Sequence, residues 1–175
     1  MRHKIVCDLS PSGVRKAIEE LNEYKRWLDR KCEELKDRIA QELRNDASYG
    51  FHASPVEINI GEESQIGTVE VVVEEQGDMK VVIAYGEDAV WIEFGAGVFY
   101  NGPVGSSPHP KGAEFGFTIG SMSTVEPKSK PKWTYVGEDG EKHTTHGTPA
   151  SMPFYKATER VIQNLPSIAK EVFGS

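Results

Sequence analysis

Cysteine is scarce: the 175 residues hold only Cys7 and Cys32. They form no C-x-x-C pair, so a disulfide framework and a cysteine-built redox or zinc motif are both excluded. Cys32 falls on the apolar stripe of an expected helix, which predicts a buried, reduced thiol. Long apolar runs are also missing, and none approaches the roughly 20 residues of a membrane span. The opening MRHKIVCDLS offers only Met1, Ile5, Val6 and Cys7 before Asp8, too little for a signal core. The expectation is a protein made and kept in the cytoplasm, without a membrane anchor. Positive charge is absent from the middle of the chain. Between Glu57 and Glu93 stand ten acidic residues and one base, Lys80, within a net charge of −7. A surface that grips phosphates needs clustered Lys and Arg, so sequence-specific nucleic-acid binding is not expected. An acidic, solvated sheet face is.

The familiar catalytic signatures are missing too. Gly95-Ala96-Gly97 is not a dinucleotide fingerprint, because Tyr100 stands where the third glycine belongs. There is no phosphate-binding G-x-x-x-x-G-K-[ST] and no G-x-S-x-G nucleophile elbow. HTTHG spaces His143 and His146 three apart, but its threonines and the turn before it favour a strand, where such residues point to opposite faces. Thr144 also stands where a zincin has its glutamate. His109, between Pro108 and Pro110, is expected in an extended surface loop with neither nucleophile nor orienting acid beside it. No catalytic, cofactor or metal site is therefore assigned. A metal-dependent enzyme would have to draw on Glu93, His143 and His146, and those side chains would have to converge.

What the chain does contain is periodicity. Ser10-Pro11 reads as an N-cap followed by proline at the first helical position. Val14, Ile18, Leu21, Leu28, Cys32, Leu35, Ile39 and Leu43 then recur on one helical face, thickened by Tyr24 and Trp27. The first breaker is Asn45-Asp46, so the helix is expected to fill most of residues 1–47. A helix of over 30 residues spans roughly 45–50 Å and overhangs a domain of this size. Part of it needs a second helix, another subunit, or a coiled-coil partner.

Period-two segments follow at residues 56–60, 68–74 and 79–85, the last two joined by Gln76-Gly77-Asp78 as a hairpin. GEDAVWIEF then predicts a short helical turn closing the segment 55–94, with Trp91, Ile92 and Phe94 anchoring it. Residues 95–131 hold seven glycines and five prolines, and a loop of that length is usually functional. Within it Phe115, Phe117 and Ile119 alternate, as a short strand or an anchor for a partner. A second hairpin is expected at 132–147 around Asp139-Gly140. A C-terminal helix follows at 151–173, capped by Ser151 and broken or kinked near Asn164 by Pro166. The sum is one α+β domain: an antiparallel sheet of hairpins packed by a long N-terminal and a C-terminal helix.

The stretch WIEFGAG concentrates the question of a site. Glu93 sits between apolar neighbours, and a buried carboxylate needs partners, such as backbone N–H groups of the glycine loop or a base of a neighbouring chain. Gly95 and Gly97 are expected to supply positive φ for the exit from the helical turn. The residues set aside for interface or loop use are Glu93, Phe94, Gly95, Gly97, His109, Phe115, Phe117 and Ile119.

These landmarks carry a resemblance. Glu93-Phe94-Gly95-Ala96-Gly97 is similar to an EFGTG-like turn, Pro108-His109-Pro110 to a Pro-His-Pro step, and Trp133 with Tyr135 to a W-x-Y strand. Thr145, Gly147, Pro149, Ala150, Pro153 and Phe154 match a closing T-x-G-x-P-A-x-x-P-F segment. In this order they resemble the minor structural proteins of tailed bacteriophages and prophages that complete the tail or join it to the head. The resemblance covers roughly residues 80–172. Ala96 stands where the family has threonine, and FGFTIGSMS looks like added loop. The resemblance implies a non-enzymatic ring component, commonly six-fold, without cofactor or metal. Its partners would be copies of itself and neighbouring neck or tail proteins, and its place the virion, after assembly in the host cytoplasm. DNA would pass through the ring, and the acidic strand face, Glu70 and Glu74 above all, would line the channel.

Overall fold

The computed structural model describes residues 5, 8, 10–54, 56–59, 62–64, 69–95, 107–116, 133–137, 139–145 and 147–174. Helix α1 runs from Pro11 to His52 over 42 residues. Ser10 caps it as its sequence suggests, its hydroxyl accepting the Gly13 N–H at 3.0 Å. The helix does not stop at Asn45-Asp46. Ala47, the next residue, and Phe51, about one turn after that, are buried in the main core, and that packing outweighs the modest helix penalty of Asn and Asp.

Among the described residues six strands follow, in three antiparallel pairs. They are β1 (Val56–Asn59) with β2 (Glu62–Ser64), β3 (Glu70–Gln76) with β4 (Met79–Tyr85), and β5 (Trp133–Val136) with β6 (Lys142–Thr145). The strands thus make three separate ladders where the sequence suggested one sheet, and β2 was not anticipated. β3 and β4 pair in full register from Glu70↔Tyr85 to Gln76↔Met79. Their turn is the Gly77-Asp78 pair, with Gly77 at φ 64. This hairpin lies along α1. Lys36 Nζ donates to the Asp78 carbonyl at 3.0 Å and Arg44 Nε to the Val71 carbonyl at 3.0 Å. Lys80 sits between Glu75 and Asp37, and these carboxylates, Glu75 first, raise its pKa above the usual lysine range.

Short helix α2 (Ala89–Phe94) comes after β4, and α3 (Pro153–Gly174) closes the chain. α3 returns antiparallel along α1: Pro153 lies at Gly50, Arg160 meets Asp46 at 3.4 Å, and Glu171 meets Arg38 at 3.1 Å. These exposed ion pairs contribute little stability; they mark the alignment. A Cβ on Gly50 would stand 2.8 Å from Pro153 Cβ, so glycine sets how closely the helices approach. The core gathers Ala47, Phe51, Val69, Val71, Ala89, Ile92 and Ala157, while Val161, Ile168 and Val172 extend the buried side of α3.

Pro166 lies inside a continuous α3, so of the break or kink expected near Asn164 the break does not occur. Residues 162–167 are exposed, and water can satisfy the Ile162 carbonyl that proline leaves without a donor. Cys32 is exposed, contrary to expectation. Cys7 lies outside the described residues. Among the described residues no helix is long and apolar enough to cross a membrane.

Candidate functional site

α2 is built as a pivot. Ala89, Ile92 and Glu93 form its buried side, as their helical spacing requires. Trp91, expected as an anchor, is exposed instead; it falls on the opposite side of so short a helix. Gly95 ends the helix with φ 83 and ψ 155, a conformation open in practice to glycine alone. A Cβ there would also lie 3.0 Å from the Ala150 backbone nitrogen. Gly95→Ala is therefore expected to destabilise the fold by about 2 kcal/mol, measured by urea unfolding. A loss near zero would mean that the α2 exit is not held as described.

The approach to α3 packs across this pivot. The N–H groups of Ser151 and Met152 point at the Ile92 carbonyl, at 2.8 and 3.4 Å. Met152 then takes φ 55, the only positive φ of a non-glycine among the described residues, and turns the chain into α3. Its carbonyl accepts the Lys156 N–H at 3.0 Å, so the cap position belongs to Met152 and not to Ser151, as the sequence suggested. Methionine has no capping oxygen. Glu93 supplies it from 61 residues away: Oε2 accepts the Phe154 N–H at 2.8 Å and Oε1 the Tyr155 N–H at 2.9 Å. A carboxylate here satisfies two of the free N–H groups of the helix start and complements its dipole. The donors are those of α3, where the sequence suggests the glycine loop or a base of a neighbouring chain.

His109 completes the cluster. Its Nε2 lies 3.1 Å from Glu93 Oε1, and both residues are only 6% exposed. The surface position expected for His109 is thus wrong, and so is the expected lack of an acid beside it. The extended reading also fails: residues 108–116 form turns, with the Gly112 N–H donating to the His109 carbonyl at 2.8 Å. The Lys111 N–H donates to His109 Nδ1 at 3.0 Å. Nδ1 is therefore the acceptor and Nε2 carries the hydrogen directed at Glu93. Ser107 Oγ donates to the Phe94 carbonyl at 2.6 Å and accepts the His109 N–H at 3.2 Å. The Phe94 and His109 ring centroids are 4.4 Å apart, His109 and Tyr155 5.5 Å, and Phe94 and Phe115 5.7 Å. Segment 107–116 is thereby sewn to α2 and to the start of α3.

Serine, histidine and glutamate thus sit together, but not as a nucleophilic relay. In such a relay one imidazole nitrogen faces the nucleophile and the other faces the acid. Here the nitrogen away from Glu93 is occupied by a backbone N–H, and Ser107 bonds to backbone on both sides. Both Glu93 oxygens are engaged as well, so a substrate would have to displace bonds that hold α3. The arrangement can clamp three distant segments; it presents no free proton acceptor.

The remaining expected residues divide. Phe94 is half-buried within the cluster, and Phe115 stands 57% exposed at its edge. Gly97, Phe117 and Ile119 lie outside the described residues, as does His146. His143 is elsewhere: its Nε2 meets both Asp139 carboxylate oxygens across the β5–β6 turn, at 3.1 and 3.0 Å. The Glu141 N–H, and then this imidazole, hold the Asp139 carboxyl below its usual value. Glu93 and His143 thus serve different partners. Among the described residues no three His, Cys, Asp or Glu side chains gather as a metal site. Sequence reading missed Ser107, Met152 and Tyr155. Only the first had a local signal, a serine just before Pro-His-Pro. No family model, curated protein or solved structure matches this chain.

Proposed function

We propose that this protein is a virion structural component of a tailed phage or prophage, acting in head–tail joining or tail completion as a subunit of a ring. One observation carries the reading. The landmarks of the resemblance are far apart in sequence, yet three of them, Glu93 to Gly95, Pro108 to Pro110, and Gly147 to Phe154, meet at the Glu93 carboxylate. Their order along the chain thus has a physical basis: each supplies one part of a single clamp. That clamp holds residues 107–116, the described middle part of the Gly/Pro-rich loop, in place and leaves the Phe115 ring exposed beside it, a form suited to contact with a neighbouring subunit.

The acidic hairpin fits the same reading. On one face of β3 Glu70 is exposed and Glu74 accepts the Tyr85 hydroxyl at 2.5 Å, while Glu75, on the other face, pairs with Lys80. A face that carries carboxylates repels phosphates, which suits a channel through which DNA slides without sticking. The neighbours would be other neck or tail proteins, and the location the virion.

Electron microscopy of the purified protein, alone and mixed with tail tubes or DNA-filled capsids, tests the proposal. Closed rings, or caps at one end of the tail, are the expected result. A protein that forms no ring and binds neither particle would sink it. Rings with Glu70 and Glu74 on the outer rim would remove the channel assignment alone.

A further inference from the structure

The N-terminal part of α1 runs on beyond α3 and the β3–β4 hairpin. α3 ends beside Trp27, where the indole meets Phe173 edge-on at 6.1 Å. The β3–β4 turn reaches only to Lys36. Residues 11–26 therefore project by roughly 24 Å at 1.5 Å per residue. Along this projection Val14, Ile18, Leu21, Tyr24 and Leu28 share one face and are exposed, Ile18 by 51% and Leu21 by 54%. The face continues into the body at Leu35 and Ile39, which are half-buried. The full series, Val14, Ile18, Leu21, Lys25, Leu28, Cys32, Leu35 and Ile39, alternates steps of four and three without a break. That is the repeat of a coiled-coil seam.

We propose that this face is covered by the same segment of a second copy of the chain, running antiparallel. Charge selects the occupant and its direction. A parallel, in-register pair would set Lys25 against the partner's Lys25 within the seam, and Lys31 against the partner's Lys36 on its flank. An antiparallel pair with its two-fold axis near residue 23 removes both conflicts. Ile18 then faces the partner's Leu28, Lys25 faces the partner's Leu21, and Val14 faces the partner's Cys32. On the flank Arg15 reaches the partner's Asp29, and symmetry makes that contact twice. Both residues are exposed in the single chain. The antiparallel arrangement also sends the two bodies to opposite ends of the helix pair, so neither obstructs the other. Such a two-fold contact is distinct from the head-to-tail contacts that close a ring. It therefore stands or falls independently of the virion reading.

Sedimentation of the full chain is expected to show a dimer. Leu21→Asp should convert it to a monomer with unchanged melting of the body. Arg15→Asp should weaken dimerisation roughly fivefold, since two exposed ion pairs become repulsive, and adding Asp29→Arg should restore it. Native Cys32 reports direction. With Cys7→Ser, oxidation should give no cross-link through Cys32. With Cys7→Ser and Val14→Cys together it should give a covalent dimer that disappears with Cys32→Ser. A monomer at every concentration up to the solubility limit would overturn the proposal, as would a dimer that survives Leu21→Asp. Ready linkage of Cys32 to the partner's Cys32 would mean a parallel pair and would overturn it too.

Discussion

Glu93→Ala is expected to lower unfolding free energy by about 3 kcal/mol, because it strands two part-buried backbone donors at the start of α3 together with the buried His109 Nε2–H, each unmet donor costing about 1–3 kcal/mol. Glu93→Gln should cost clearly less, since one amide oxygen can still accept while its NH2 faces donors. The effect should be local as well as global. Amide exchange at Phe154 and Tyr155 should rise by orders of magnitude in the alanine variant, while exchange in the centre of α1 follows only the loss of overall stability. A double-mutant cycle with His109→Ala should show coupling of about 0.5–3 kcal/mol, as expected of groups in direct contact. Unchanged exchange at both amides would mean that another group caps α3, and the clamp would lose its centre.

Phe51→Ala is the second large effect, expected at about 3–5 kcal/mol for a buried aromatic truncated within a packed core. Phe51 is 2% exposed and meets Phe154 edge-on, with ring centroids 5.4 Å apart at 80°. It is the last residue but one of α1, in the segment beyond Asn45-Asp46 where the sequence suggests the helix ends. The phenylalanine joins α1, α3 and the β3–β4 hairpin at one point, so its loss leaves a cavity that no single element can close. Urea unfolding by circular dichroism measures the change, and the denaturant slope should stay near wild type. A loss below about 1 kcal/mol, typical of a surface position, would show that α1 is not held in the core at that end.

The two variants also separate the kinds of information the chain carries. The Phe51 effect rests on apolar burial at helical spacing, a property written along one element. The Glu93 effect rests on residues 16, 61 and 62 positions away, which no local pattern connects.

The same division runs through the whole molecule. The sequence by itself determined the long first helix and its Ser10-Pro11 start, the β3–β4 hairpin with its Gly77-Asp78 turn, the helical turn at Ala89–Phe94, and the positive φ of Gly95. Each follows from periodicity, capping chemistry or glycine's freedom within a few residues, and local sterics act whatever the rest of the chain does. The amphipathic stripe of α1 was legible too, but not its division into a buried and an exposed part. That depended on where α3 and the hairpin lie along the helix, and Cys32, expected inside, stands on the surface. Tertiary structure alone decided that Pro166 does not break α3, that Met152 and not Ser151 sits at its start, and that His109 is buried. It also turned Glu93 from an isolated acid into the cap of a helix. The physical reason is common to all of these. Free N–H groups at a helix start and buried polar side chains must find partners somewhere, and which partners come within reach is settled only when segments far apart in sequence pack together.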